Sequence, residues 1–261
     1  MSRDPIRIFV GTPANNEDLE CMSVLSYSLH KHASAPIEIT WMMLSRDPNS
    51  FWYSNPDTRE GWNTQSWATP FSALRWGIPA ACNFEGRAIY MDCDQIALAD
   101  IKELYDQPIP DDKAFLAKRD GDHVVSCVML FDNARMKKVL PPINDLKTRP
   151  GHYRTIRQSV SNAMAPYRDD WNCRDGENCK SVYDPHVKVL HYTFIPTQPN
   201  HKYARHRLKN EGKPHWFAGP DQPHPRADVT KLFDETFAEA CLAGCGPETF
   251  RVNPEFGNYG R

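Results

Sequence analysis

The fold is decided by one stretch, Arg87-Ala-Ile-Tyr-Met-Asp-Cys-Asp-Gln-Ile-Ala-Leu-Ala-Asp100, in which a buried strand ends in two aspartates two residues apart. Side chains alternate along an extended strand, so we expect Asp92 and Asp94 to face a crevice and Cys93 to face the core. Two carboxylates suit Mg²⁺ or Mn²⁺ better than Zn²⁺, and substrate phosphates often complete such a shell. The stretch therefore predicts a metal site, with ordinary strand-end carboxylates as the alternative.

A second Asp-x-Asp sequence, Asp120-Gly-Asp122, stands in a different context. Charged residues and a glycine surround it, and no apolar run precedes it. This composition is typical of a solvated turn. We therefore assign the predicted metal site to the first pair only.

Strand-like and helix-like segments alternate around the deciding stretch. The predicted strands are 6–10, 37–44, 88–91, 115–118, 124–131 and 187–193, and the predicted helices are 17–31, 69–76 (broken by Pro79), 99–105, 133–139, 153–164 and 229–243. This order indicates an α/β fold with a mixed, mostly parallel sheet flanked by helices. Ligands gather at the carboxyl ends of strands in such folds, which is where Asp92 and Asp94 lie.

Length and charge limit the function classes. The 261 residues suit one domain: we expect a main domain over 1–200 and an irregular, proline-rich C-terminal extension over 201–261 packed on it. Lys plus Arg total 31 and Asp plus Glu 33, which argues against nucleic acid as the main partner. The basic segment 201–215 suits either an anionic ligand or a solvated face.

The sequence contains neither a long apolar run nor a signal-peptide core, so we expect a cytoplasmic protein, with peripheral contact at the inner face of the membrane left open. Its eight cysteines form no Cys-x-x-Cys pair. Reduced packing cysteines, among them Cys127, are favoured over a disulfide framework or a zinc site. The sequence does not predict an oligomeric state.

His191 is the candidate third metal ligand, because it ends the strand-like run 187–190 just before a proline-rich loop. A histidine at such a position is also compatible with an ordinary buried polar residue. Two carboxylates and one imidazole suit Mn²⁺ slightly better than Mg²⁺.

Five segments in order resemble glycosyltransferase family 8, the retaining glycosyltransferases of GT-A (Rossmann-like) fold, and its bacterial members. The resemblance covers about residues 6–199, and its segments are 6–12, 71–79, 88–94, 126–132 and 190–193. It implies a transferase that moves a hexose from a UDP-sugar to a hydroxyl of a glycan or glycolipid. It also implies that Asp92, Asp94 and His191 hold Mn²⁺, with Mg²⁺ as a substitute.

The resemblance assigns further roles residue by residue. Thr12 and Asn15 would lie near the uridine and ribose, Arg75 would reach the donor, and Ser126 would contact the sugar. Cys93 belongs to the same cofactor-binding stretch because it stands between the two aspartates.

Two departures from the family pattern affect the sugar and the diphosphate. Gln158 is similar to a family glutamine beneath the anomeric carbon, but Arg157 replaces the preceding aspartate. Asn172 and Glu177 resemble a sugar- or acceptor-contacting element, and both are equally compatible with turns. The usual continuation after the histidine is missing, so phosphate contact would fall to a basic residue further on: Lys202, Arg205 or Lys213.

An aromatic insert over 51–67 has two interpretations. It suits an acceptor-sugar platform, because apolar sugar faces stack on rings, and it equally suits a satellite hydrophobic cluster.

Two other functions compete with glycosyl transfer. A sugar-phosphate nucleotidyltransferase would carry a glycine-rich basic loop after the first strand, and the stretch 11–18 has one glycine and no lysine or arginine. A degenerate fold serving as a glycan-binding module would have no need of all three predicted metal ligands.

Overall fold

The computed structural model describes residues 4–65, 67–148 and 152–256, and these residues form a mixed α/β structure. Its strands are β1 (Ile6–Gly11), β2 (Ile37–Met42), β3 (Ser54–Asn55), β4 (Glu60–Gly61), β5 (Arg87–Asp92), β6 (Gln95–Ala97), β7 (Phe115–Asp120), β8 (His123–Asp132), β9 (Met164–Pro166), β10 (Cys173–Arg174) and β11 (Val189–His191). Its α-helices are α1 (Leu19–His32), α2 (Ile78–Ala81), α3 (Lys102–Tyr105), α4 (Asn133–Met136), α5 (Ile143–Thr148), α6 (His152–Ala163), α7 (His201–Asn210) and α8 (Ala227–Leu242). Three 3₁₀ helices span Leu74–Gly77, Ile195–Thr197 and Pro247–Phe250.

A six-stranded sheet in the order β2-β1-β5-β8-β7-β9 forms the centre of the fold. The pairs β1/β2, β1/β5 and β7/β9 are parallel, whereas β5/β8 and β7/β8 are antiparallel. This arrangement confirms the predicted mixed, mostly parallel sheet. Apolar residues fill both faces, because strands covered on both sides bury almost every side chain.

A smaller sheet in the order β10-β11-β6 carries His191 to the end of β5. The antiparallel pair β11/β6 sets His191 opposite Gln95, and the Tyr192 amide donates to the Asp94 carbonyl at 3.0 Å. The tip of the β7/β8 hairpin contains Gly121 with a φ of +55° and is exposed. The interpretation of Asp120-Gly-Asp122 as a solvated turn is confirmed.

The predicted helix over 69–76 is wrong. Residues 70–73 are turns, the 3₁₀ helix Leu74–Gly77 follows, and α2 then begins with Pro79 in its first turn. A proline in the first turn of a helix has no backbone N–H to lose, so Pro79 starts a helix here and does not break one.

The C-terminal extension is less irregular than predicted, because α7 and α8 both lie in it. Val229, Leu232 and Phe233 of α8 pack in one apolar cluster with Val24 of α1. The division into 1–200 and 201–261 stays a prediction. No helix in the described ranges is long and apolar enough to cross a membrane.

Candidate functional site

A cleft of about 280 Å³ lies at the carboxyl end of β5. Its walls come from the end of β5, the turns and 3₁₀ helix over 69–77, β8, β11 and the segment 193–200. Of the residues that the sequence nominated, Arg75, Asp92, Cys93, Asp94 and His191 line it. The structure therefore brings together the predicted metal ligands and the predicted donor arginine.

Asp92 is held by two neighbours that the local fold supplies. The Tyr90 hydroxyl donates a short hydrogen bond to Asp92 Oδ1, and Arg75 Nη2 donates to the same oxygen at 3.3 Å. The Arg75 guanidinium lies over the Tyr90 ring, 4.5 Å from its centroid, and Nη1 donates to the Ser126 carbonyl at 2.5 Å. A side chain at Gly11 would lie 3.0 Å from the Tyr90 hydroxyl oxygen, so the glycine leaves room for this arrangement.

Asp94 and His191 contact each other directly. His191 Nε2 is 3.1 Å from Asp94 Oδ1 and 3.9 Å from Asp92 Oδ2. Gln198 Nε2 donates to Asp94 Oδ2 at 3.0 Å, which fixes the second oxygen of that carboxylate. Burial alone would lower the pKa of His191, but the Asp94 carboxylate outweighs it and raises that pKa well above its usual value.

Asn172 lies behind His191, away from the cleft. It is fully buried, and its Oδ1 is 2.8 Å from His191 Nδ1. Asn172 therefore contacts the predicted metal ligand, and its contact with a sugar or acceptor stays a prediction. Glu177 is likewise occupied: its Oε1 accepts from Lys118 Nζ at 2.6 Å and from Arg174 Nε at 3.0 Å.

The cleft also contains polar residues that were not predicted as site residues, among them Asp18, Cys127 and Gln198. Burial raises the pKa of Asp18 to about 7, with a further contribution from Asp94. Cys127, expected to be a packing cysteine, lines the cleft, and burial followed by Asp92 raises the pKa of its thiol. Only the place of Cys127 in the predicted strand beside Ser126 could have drawn attention to it.

Cys93 lies on the core side, as strand alternation predicts. It is 4% exposed, packs with Cys21 and lies with its Sγ 3.7 Å from Asp18 Oδ2. The Cys93 side chain therefore points away from the side of the strand on which Asp92 and Asp94 would bind a metal ion.

The donor set suits a divalent cation. One ligand atom each from Asp92, Cys127 and His191 lie within 4.8 Å of one another, and Asp94 Oδ1 lies beside the imidazole. Carboxylate oxygens and an imidazole nitrogen that converge on one point are ligands that divalent cations use. The identity of the metal does not follow from this geometry.

The predicted nucleotide contacts lie in a covered loop. Thr12 and Asn15 are 1% and 9% exposed, and Thr12 Oγ1 has no hydrogen-bond partner in the part of the chain that the structure describes. The next residue, Asn16, exchanges two hydrogen bonds with the backbone of Val252, and Arg207 Nη2 donates to the Asn16 carbonyl at 2.9 Å. Contact of Thr12 and Asn15 with a nucleotide stays a prediction.

The basic residues proposed for phosphate contact have other partners. Lys202 Nζ donates to Asp234 Oδ2 at 2.7 Å and lines a separate groove beside α8. Arg205 donates to Asp221, and Lys213 donates to Glu211. In this conformation, all three side chains are held by acidic neighbours on the C-terminal extension.

Gln158 and the aromatic insert complete the comparison with the sequence. Gln158 lies on α6, but its side chain falls outside the described part of the chain.

In the aromatic insert over 51–67, Trp62 and Trp67 are 2% and 8% exposed and join the core, and Phe51 and Trp52 pack against them. The insert is therefore a hydrophobic cluster.

Comparisons with known proteins give one relative in sequence and several in fold. No family model matches the chain. Protein CDI of Arabidopsis thaliana is 39% identical over 216 residues, which cover 73% of this chain and 78% of that protein.

Two solved structures show the fold. The apo bifunctional glycosyltransferase WbbM superposes with a TM-score of 0.52 at 15% identity, over 93% of this chain and 52% of that chain. LgtC, a galactosyltransferase solved with donor and acceptor sugar analogues, gives 0.52 at 12% identity, over 96% and 98% of the two chains. This chain thus spans about half of WbbM and nearly all of LgtC, and its fold is that of the GT-A glycosyltransferases.

Proposed function

The chain belongs to the family of Protein CDI of Arabidopsis thaliana, and from its GT-A fold and its acidic cleft we propose that it is a metal-dependent, retaining glycosyltransferase. In this proposal it transfers a hexose from a UDP-sugar to a hydroxyl of a glycan or glycolipid. One observation carries the proposal: Asp92, Asp94 and His191 meet beside Arg75 at the carboxyl end of β5.

The residues of the cleft have separate roles in this proposal. Asp92, Asp94 and His191 would hold Mn²⁺ or Mg²⁺, which neutralises charge on the departing diphosphate. Tyr90 and Arg75 hold Asp92 in place before any substrate arrives. Such preorganisation lowers the reorganisation needed in the transition state.

The stereochemical course follows from the resemblance to family 8. The acceptor oxygen bonds to the anomeric carbon on the face that the diphosphate leaves. The acceptor proton passes to the departing phosphate oxygen. Gln158 would support the positive charge at the anomeric carbon through its side-chain carbonyl, and Ser126, whose Oγ accepts from Arg75 at 3.1 Å, would lie near the sugar.

The acceptor class and the cytoplasmic location with peripheral membrane contact are predictions, as are the metal, the UDP-sugar donor and the retaining course. The Phe194 and Ile195 side chains are 56% and 38% exposed, and Ile195 lines the cleft. Apolar side chains at the rim of a polar cleft suit an acceptor that has an apolar face or tail.

Calorimetric titration of UDP into the protein, with and without Mn²⁺, tests the nucleotide and metal site. We expect Mn²⁺-dependent binding by the wild type and loss of at least about tenfold in affinity in Asp94→Asn, since the negative charge and one carboxylate oxygen are lost. Asp122→Ala, in the exposed turn of the second Asp-x-Asp sequence, is the matched control and should bind UDP as the wild type does.

Each alternative function gives a different result in this titration. No UDP binding by folded protein in the presence of Mn²⁺ would exclude the UDP-sugar donor. Binding of a glycan without any nucleotide binding would favour the glycan-binding module. If UDP binds, incubation with a panel of UDP-sugars, followed by detection of released UDP, identifies the donor.

A further inference from the structure

Cys127 lies beside Asp92 at the end of β5. The antiparallel register of β5 and β8 pairs Tyr90 with Met129 and Met91 with Val128, and Asp92 and Cys127 are the next residues of the two strands. Residues opposite each other in antiparallel strands have Cβ atoms about 4.5–5.5 Å apart and point to the same face. The central sheet itself therefore brings the thiol beside the carboxylate.

The thiol also lies within reach of His191. The Cys127 Sγ, one carboxylate oxygen of Asp92 and one ring nitrogen of His191 are all within 4.8 Å of one another. Bonds of about 2.0–2.3 Å from one ion to sulfur, nitrogen and oxygen require donors about 3–4 Å apart, which is roughly 1 Å closer than this limit. Small side-chain rotations would close the remaining gap.

The backbone around Cys127 is held in place. Gln95 Nε2 donates to the Cys127 carbonyl at 3.1 Å, and Arg75 Nη1 donates to the carbonyl of the preceding Ser126. A donor on a fixed strand loses little freedom when it binds a ligand.

A packing role explains Cys127 poorly. Cys21, Cys82, Cys93 and Cys173 all belong to buried apolar clusters of the described core, and Cys127 does not. Cys21 and Cys93 line the cleft as well but also pack in the core, whereas the Sγ of Cys127 lies beside Asp92 and His191.

We propose that Cys127 is a further ligand of the divalent-metal site, which therefore favours Co²⁺ and Zn²⁺ over Mg²⁺. The inference rests on the proposed function in using Asp92 and His191 as partners. When the metal binds, the thiol proton passes to solvent and the sulfur–metal bond forms. A thiolate is a soft donor, which raises affinity for borderline cations much more than for hard ones.

Titration of Co²⁺ into the full chain, followed by absorption spectroscopy, tests the ligand directly. A thiolate-to-Co²⁺ charge-transfer band in the near ultraviolet is expected in the wild type and absent in Cys127→Ser. The matched control is Cys245→Ser, because Cys245 is also half-buried but lies near α1 with its Sγ 3.8 Å from the Ser23 carbonyl. Affinity for Co²⁺ and Zn²⁺ should fall at least about tenfold in Cys127→Ser, and affinity for Mn²⁺ much less.

The outcomes separate this inference from the proposed function. Binding of Co²⁺ without the charge-transfer band, or with a band that Cys127→Ser retains, would overturn the role of Cys127 and leave a metal-dependent transferase in place. Failure of Co²⁺, Zn²⁺ and Mn²⁺ to bind the wild type would overturn both.

A measurement on the wild type alone covers the case in which Cys127→Ser does not fold. Iodoacetamide labelling with and without Zn²⁺, quantified by peptide mass spectrometry, reports on each cysteine. Protection of Cys127 by Zn²⁺ supports the inference, whereas equal labelling of Cys127 with and without Zn²⁺ overturns it. Cys241, which is exposed and remote from the acidic cleft in the fold, is the internal reference.

Discussion

Among single residues, Asn172 shows how a buried side chain prepares a ligand. Its Oδ1 lies 2.8 Å from His191 Nδ1, while His191 Nε2 faces the carboxylates of Asp92 and Asp94. When Nδ1–H donates to Asn172, the lone pair of Nε2 is left for a cation. The polar pair is fully inside the protein, where an imidazole without such a partner would be costly.

Replacement of Asn172 tests this role. Asn172→Leu should weaken Mn²⁺ binding by about 10–100-fold, because the ring loses the acceptor that fixes its orientation. Asn172→Asp keeps an acceptor oxygen and should retain most of the affinity. Mn²⁺ titration of both folded variants measures the difference, and equal affinities would contradict a positioning role.

The sequence predicted the cleft residues that lie at the ends of strands. It did not predict the cleft residues whose position is set by how distant segments pack together. Asp92, Asp94 and His191 follow apolar runs, so their place could be predicted from local pattern. Cys127 meets Asp92 only because β5 and β8 pair in one particular register. Gln198 reaches Asp94 only because the segment after β11 folds back over the cleft, and no local pattern encodes such a path.

Among the elements that the sequence interpretation missed, α7 is the longest, with ten residues. Its residues are mostly polar and basic, and prolines flank it, so its short apolar face is a weak signal. Its first residue, His201, is completely buried against the rings of His215, Trp216 and Phe217. The strands β1, β5 and β8 were predicted correctly because continuous apolar runs mark strands that are covered on both faces.

His201 makes the attachment of α7 sensitive to pH. Burial, and then the neighbouring His215, lower the pKa of His201 from 6.5 to about 4, although Asp221 lies 3.5 Å away and Arg205 nearby pairs with the same carboxylate. Below pH 6.5, His201 takes up a proton in the unfolded chain. In the folded protein His201 stays neutral until about pH 4. Stability from a neutral His201 is therefore present above pH 6.5 and is lost towards pH 4.

His201→Phe should remove this dependence, because phenylalanine keeps the ring contacts and cannot be protonated. Between pH 7 and pH 5 the wild type should lose about 2 kcal/mol more of its free energy of unfolding than the variant does, at about 1.4 kcal/mol per pKa unit. Urea unfolding at both pH values measures this, with the exposed His186→Phe as control. A variant as pH-sensitive as the wild type would show that His201 is protonated in the folded protein.

For the whole molecule, the question is whether the C-terminal extension and the main sheet unfold together. A buried ion pair connects them: Arg207 of α7 donates to both oxygens of Glu20 on α1, at 2.7 and 3.0 Å. The Glu20 side chain is only 2% exposed. A second pair, Lys31 with Glu239, connects α1 to α8 at the surface, where both side chains are nearly half exposed.

The two ion pairs differ in burial, so removal of one charged side chain from each should lower the free energy of unfolding by different amounts. Arg207→Met should lower the free energy of unfolding by about 3–5 kcal/mol, because Glu20 is left buried without its counter-charge. The double variant Glu20→Gln with Arg207→Met should recover much of that loss. Lys31→Met, the control, should cost less than about 1 kcal/mol, because water already solvates Glu239.

Urea unfolding followed by circular dichroism and by tryptophan fluorescence decides the matter. If residues 201–261 pack on the main domain as one cooperative unit, both signals should change in a single transition in every variant. The buried pair would then stabilise the entire protein, including the acidic cleft at the far end of β5. Two separate transitions in the wild type, or a cost for Arg207→Met as small as that for Lys31→Met, would mean that the extension folds independently of the sheet that it covers.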